Sequence, residues 1–78
     1  MIKWEKTGRE VKANGESTTT YTSADGRFRI ESRKRAIPHA NREGHWMHTS
    51  YFLIDYNDGS EKEYYALKDA KAAAEVKE

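Results

Sequence analysis

The chain has 78 residues and no cysteine, with 35% charged and 36% hydrophobic residues and a formal net charge of +1. This length supports one hydrophobic core, and the absent cysteines exclude a disulfide framework and a thiolate metal site. No apolar run reaches signal-peptide length at the N-terminus or the roughly 20 residues of a membrane-spanning helix, so the expectation is one domain over 1–78, without a membrane partner, in the cytoplasm.

Residues 1–17 alternate charged with small polar residues around Gly8 and Gly15. Apart from Trp4 they offer little to bury, which predicts an edge strand or a flexible arm. A β-meander is predicted over 18–65. Residues 18–23 are rich in β-branched and aromatic types, Asp25-Gly26 is a tight-turn pair, and Arg27-Phe28-Arg29-Ile30-Glu31-Ser32-Arg33 alternates with period two, which together make a hairpin. Residues 34–44 hold Pro38, Asn41 and Gly44 and read as a long basic loop.

Residues 46–56 are the most strand-like stretch, and Asn57-Asp58-Gly59-Ser60 turns them into 61–65 as a second hairpin. Within the long strand, Trp46, Phe52, Ile54 and Tyr56 form one apolar series, while Met47, Tyr51 and Leu53 form the other. Residues 67–77 have high helix propensity, with Leu67, Ala70, Ala73 or Ala74, and Val76 on one side. The alanines are expected to bring the helix close onto Phe28, Ile30, Phe52 and Ile54. The fold class expected is α+β, an antiparallel three- to four-stranded β-meander packed by one C-terminal α-helix.

Charge is uneven along the chain. Residues 1–42 carry ten Lys or Arg against five acids, whereas residues 43–78 carry four Lys against eight acids. Folding either keeps these halves apart as two faces or interleaves them into pairs. Arg27, Arg29 and Arg33 alternate away from Phe28 and Ile30 and continue into Lys34 and Arg35, with Arg42 further on, as a basic strip suited to phosphate or an acidic partner. The aromatic residues number nine, more than one sheet face and a short helix hide. Tyr51, Tyr64 and Tyr65 with Met47, together with Asp58 and Glu61 of the acidic second turn, are the candidate protein interface.

The spacing of His39, His45 and His48 is unusual for zinc, and on a strand the last two point to opposite faces. No serine has the context of an activated nucleophile, and phosphate-loop and dinucleotide glycine patterns are absent. Neither catalytic residues nor a cofactor or metal site is expected.

The succession Trp4, Asp25-Gly26-Arg27-Phe28-Arg29-Ile30, Trp46, Leu53-Ile54-Asp55, Asp58-Gly59 and Ala66-Leu67-Lys68-Asp69-Ala70-Lys71-Ala72-Ala73-Ala74 resembles small bacteriophage accessory proteins, with a meander ending in a leucine-anchored helix. It is more loosely similar to the arm-binding domains of tyrosine integrases and to AP2 domains, whose helix-backed sheet enters a DNA groove. The resemblance implies a non-enzymatic protein that occupies the surface of a host protein or nucleoprotein complex, as an inhibitor of a nucleic-acid-handling or defence (anti-CRISPR-like) assembly, acting as a monomer or weak homodimer in the host cytoplasm. The second implication is a DNA- or RNA-binding module using the basic strand and loop.

Overall fold

Short hydrogen-bonded turns determine where the chain reverses. Ser23 donates through its hydroxyl to Asp25 Oδ1 at 2.6 Å, the same carboxylate accepts the Arg27 N–H at 3.1 Å, and Gly26 follows with φ +77°. Asp58 Oδ1 likewise accepts the Ser60 N–H at 2.8 Å, and Gly59 adopts φ +72°. Both glycines occupy the left-handed region that a side chain disfavours.

In the computed structural model, which describes residues 2–40 and 43–78, these turns link five strands and a helix. They are β1 (Trp4–Val11), β2 (Ser17–Ser23), β3 (Phe28–Pro38), β4 (His45–Asp55), β5 (Ser60–Tyr64) and α1 (Leu67–Lys77). The strands form one antiparallel sheet in the order β1-β2-β3-β4-β5. The architecture is therefore an α+β meander with a C-terminal helix, but with five strands where the sequence indicates three or four. The additional strand is β1, whose polar residues pair from Trp4↔Ser23 to Val11↔Ser17, with a register shift between Lys6 and Gly8. Of the edge strand and the flexible arm expected for this polar segment, the chain forms the edge strand, because backbone pairing requires no apolar side chain. No helix among the described residues is long and apolar enough to cross a membrane.

A second correction concerns residues 34–44. Lys34, Arg35, Ala36, Ile37 and Pro38 continue β3, opposite Thr49, His48, Met47, Trp46 and His45. Pro38 is tolerated because it ends the strand, where a missing N–H breaks little of the ladder. β2 pairs with β3 only as far as Lys34, and β5 pairs with β4 only over 51–55. Beyond those points β3 and β4 run on as a two-stranded ribbon, which accounts for an elongated body of 45 × 21 × 20 Å.

The core lies at the other end, where α1 crosses the sheet. Phe28, Ile30, Leu53, Ala70 and Ala74 are buried, with Trp4, Tyr21, Tyr51, Tyr64 and Leu67 packed around them. Ala70 and Ala74 are completely inaccessible, so the helix backbone approaches the strands closely. Burying Phe28 or Ile30 contributes about 1.5–3 kcal/mol each, enough to hold an 11-residue helix that would be marginal alone.

The face that receives the helix differs from expectation. Ile30 stands opposite Leu53 and Phe28 opposite Asp55, and directly paired residues share a face. The odd residues of β4 therefore meet α1, and Phe52 and Ile54 point away from it. Val76 also departs from its expected buried side and is 87% exposed.

Candidate protein-binding face

Cross-strand register sorts the charged residues by face. With Ile30 and Leu53 under the helix, the opposite, helix-free face receives Arg29, Glu31, Arg33 and Arg35 from β3 and Glu61 and Glu63 from β5. Its β1 members include Glu5, opposite Thr22, and Glu10, opposite Thr18. Along β4 this face presents Trp46, His48, Ser50, Phe52 and Ile54, and among the described residues no helix or strand packs over them.

Its arginines are already compensated. Glu31 lies 2.7 Å from Arg33 and 3.7 Å from Arg29, and Glu61 reaches Arg33 at 3.6 Å. The Arg33 guanidinium also stacks 4.2 Å from the Phe52 ring centroid. A hydrogen bond with the Tyr56 side chain holds Arg29 above the ordinary arginine range, against the opposing effect of burial. Arg35 donates to the Ser17 carbonyl at 3.0 Å and to Thr18 Oγ1 at 3.1 Å, fastening the root of the ribbon to β2.

The remaining members of the basic strip lie elsewhere. Arg27 lies in the β2–β3 turn, outside the strip, and pairs with Asp55 at 3.3 Å while covering Phe28 at 4.7 Å. Lys34 is exposed on the helix side, opposite Thr49, and Arg42 lies outside the described residues.

The expected tyrosine cluster is also divided. Tyr51 and Tyr64 face each other on the helix side and pack against the core, and Met47 is on that side of the ribbon. Tyr65 is 69% exposed beyond the end of β5. Its ring centroid lies 5.7 Å from that of His48, whose own centroid is 6.0 Å from that of Trp46. The Tyr65 hydroxyl donates to Glu63 at 3.2 Å, a bond that raises its pKa. Asp58 pairs with Lys77 at 3.3 Å, and Glu61 belongs to the Arg33 network.

The structure therefore brings together a row of which the expected interface contains only Tyr65: Trp46, His48 and Tyr65, continued by Phe52 behind the Arg33 guanidinium. Half of the Trp46 surface is exposed. The period-two series in residues 46–56 already contains Trp46 and Phe52, and the error lay in assigning that series to the helix.

Other chemistry is confined to one end. Asp55 is 1% exposed, held by Arg27 and by Lys77 at 3.0 Å. Burial alone would raise its pKa, but the Asn57 N–H, Arg27 and Lys77 together hold it at about 2. A groove of about 510 Å³ opens between α1 and β5, lined by Leu53, Tyr64, Ala73 and Val76. The Ser60 hydroxyl at its rim accepts a hydrogen bond from Lys77 at 2.8 Å. His45 and His48 stand on opposite faces of β4, and no group of three or more metal-ligating side chains occurs among the described residues.

No family model, curated protein or solved structure matches this chain.

Proposed function

We propose that this chain is a small non-enzymatic binding protein that docks on the surface of a protein partner through its helix-free face, as a phage-type inhibitor or adaptor would. The observation that carries this reading is Trp46, half exposed on a two-stranded ribbon in one row with His48 and Tyr65. Tryptophan and tyrosine dominate the energetics of protein interfaces, because they bury large surfaces at a small entropic cost. The charges around the row favour the same class of partner. A glutamate beside two arginines gives a patterned rim that steers and orients a protein, whereas a phosphate backbone would meet repulsion from Glu31, Glu61 and Glu63.

The test is affinity capture from a nuclease-treated lysate of the native host, followed by affinity measurement on the retained protein. Trp46→Ala is expected to cost at least about 2 kcal/mol, or about 30-fold in Kd, with a smaller loss for Tyr65→Ala and none for Lys3→Ala. Undiminished affinity for Trp46→Ala, or retention that depends on intact nucleic acid, would exclude this face as the docking surface.

A further inference from the structure

The outer edge of β5 carries backbone groups that the sheet does not use. Tyr56 donates its N–H to the Arg27 carbonyl at 2.9 Å, and His39 donates its own to the Gly44 carbonyl at 3.2 Å. These two pairs extend the β3–β4 register by one residue at either end, so the even residues of β4 spend their backbone groups on β3 and the odd ones turn theirs to β5. On β5, Ser60, Lys62 and Tyr64 stand opposite those odd residues. The N–H and C=O groups of Glu61 and Glu63 therefore point outward, where the sheet ends.

The side chains that flank this edge differ between the two faces. On the helix-free face stand Glu61 and Glu63, both exposed. Glu61 is shared with Arg33 at 3.6 Å, yet 49% of its side chain stays accessible. Glu63 accepts the Tyr65 hydroxyl at 3.2 Å but makes no ion pair among the described residues. On the helix side the edge borders the groove of about 510 Å³ between α1 and β5, where the Lys62 stem, Tyr64, Ala73 and Val76 offer apolar surface.

We propose that this edge takes an extended segment of a partner protein as an added strand, one in which lysine or arginine alternates with apolar residues. Such a strand satisfies the outward groups of Glu61 and Glu63 through its own backbone. Its basic side chains then stand opposite the two glutamates, and the apolar residue between them lies beside Lys62, over the groove. Charge complementarity also excludes a second copy of this chain. Two β5 strands paired antiparallel about Lys62 would set Glu61 opposite Glu63 twice and lysine opposite lysine, each a repelling contact. The charges that keep copies apart therefore select a basic strand. The site does not include Trp46 and stands independently of the docking row.

The experiment titrates the intact, ¹⁵N-labelled chain with a seven-residue peptide that alternates lysine and valine, followed by NMR. Saturable shifts are expected, with slowed hydrogen exchange at the Glu61 and Glu63 amides. Glu61→Lys/Glu63→Lys should weaken binding at least about tenfold, because two attractive cross-strand pairs become repelling, and should capture a glutamate–valine peptide that the native chain does not. Glu63→Pro removes one outward N–H while leaving the β4 ladder whole, and should cost about fivefold. Glu5→Lys/Glu10→Lys makes the same change in net charge on the opposite edge strand and should have little effect. Circular dichroism melts of each variant confirm that the fold persists. The proposal fails if binding does not saturate at millimolar peptide, if both charge-reversed pairs lose affinity equally, or if a peptide with its lysines and valines in separate blocks binds as well. Because the probe is a peptide, these outcomes do not depend on whether Trp46 docks a partner.

Discussion

Ile30→Ala is expected to lower stability by about 2–5 kcal/mol, a large share of what a domain of this size possesses. Ile30 is completely buried beneath Ala70 and Ala74, between Tyr21 on β2 and Leu53 on β4. Removing its outer carbons leaves a void that the rigid pairing on both sides prevents from closing. Leu53→Ala should behave similarly, since that residue is 4% exposed in the same cluster. Ile54→Ala is the discriminating control. It lies on the helix-free face, partly accessible, and should cost less than half as much as Ile30→Ala in urea denaturation. Equal losses for Ile54 and Leu53 would mean that the helix sits on the other face of the sheet.

Asp55→Asn should abolish a distinct acid-dependent component of stability. The Asp55 carboxyl titrates at about 2 in the folded chain against the ordinary 3.8, so between these values the unfolded chain binds more protons than the folded one. Stability from Asp55 is therefore fully present above about pH 4 and is lost as the pH falls through 2. Lys77 is shifted upward by its hydrogen bond with Asp55, so its contribution persists through neutral pH and disappears only as the pH rises past the lysine range. The variant leaves Arg27 and Lys77 as two cations facing a neutral amide, and should melt at lower temperature at pH 7. The gap between wild type and variant should hold from pH 5 to about pH 4 and narrow from there to pH 2. A gap that stays constant over this range would show that the carboxylate charge is not what Arg27 and Lys77 stabilise. Glu16 and Asp25 also titrate low because of local hydrogen bonds, but they are common to both proteins and cancel in the comparison.

Local chemistry in the sequence determined the turns, the alternating strands and the helix. Asp25-Gly26 and Asp58-Gly59 specify reversals whatever surrounds them, because a carboxylate accepts nearby backbone N–H groups and glycine accepts positive φ. Period two in Arg27-Phe28-Arg29-Ile30 and the alanine-rich segment 67–77 are equally local signals. What the residues could not reveal alone is register. Whether Leu53 or Phe52 meets the helix depends on which β4 residue stands opposite Ile30, and a slip of one position exchanges the two faces.

Register also decided the electrostatics. The basic first half and acidic second half of the chain are interleaved by the Arg27–Asp55 and Arg33–Glu61 pairs. A different segregation then emerges, with Glu31, Glu61 and Glu63 on the helix-free face and Lys6, Lys34 and Lys62 on the other. The ribbon at 35–38 and 45–48 depends on tertiary structure for the same reason: those residues pair with each other while their sheet neighbours stop short. The sequence by itself determined that Trp46 lies in a strand, but only the lengths of β2 and β5, the position of α1 and the alignment of four neighbouring strands left that tryptophan uncovered.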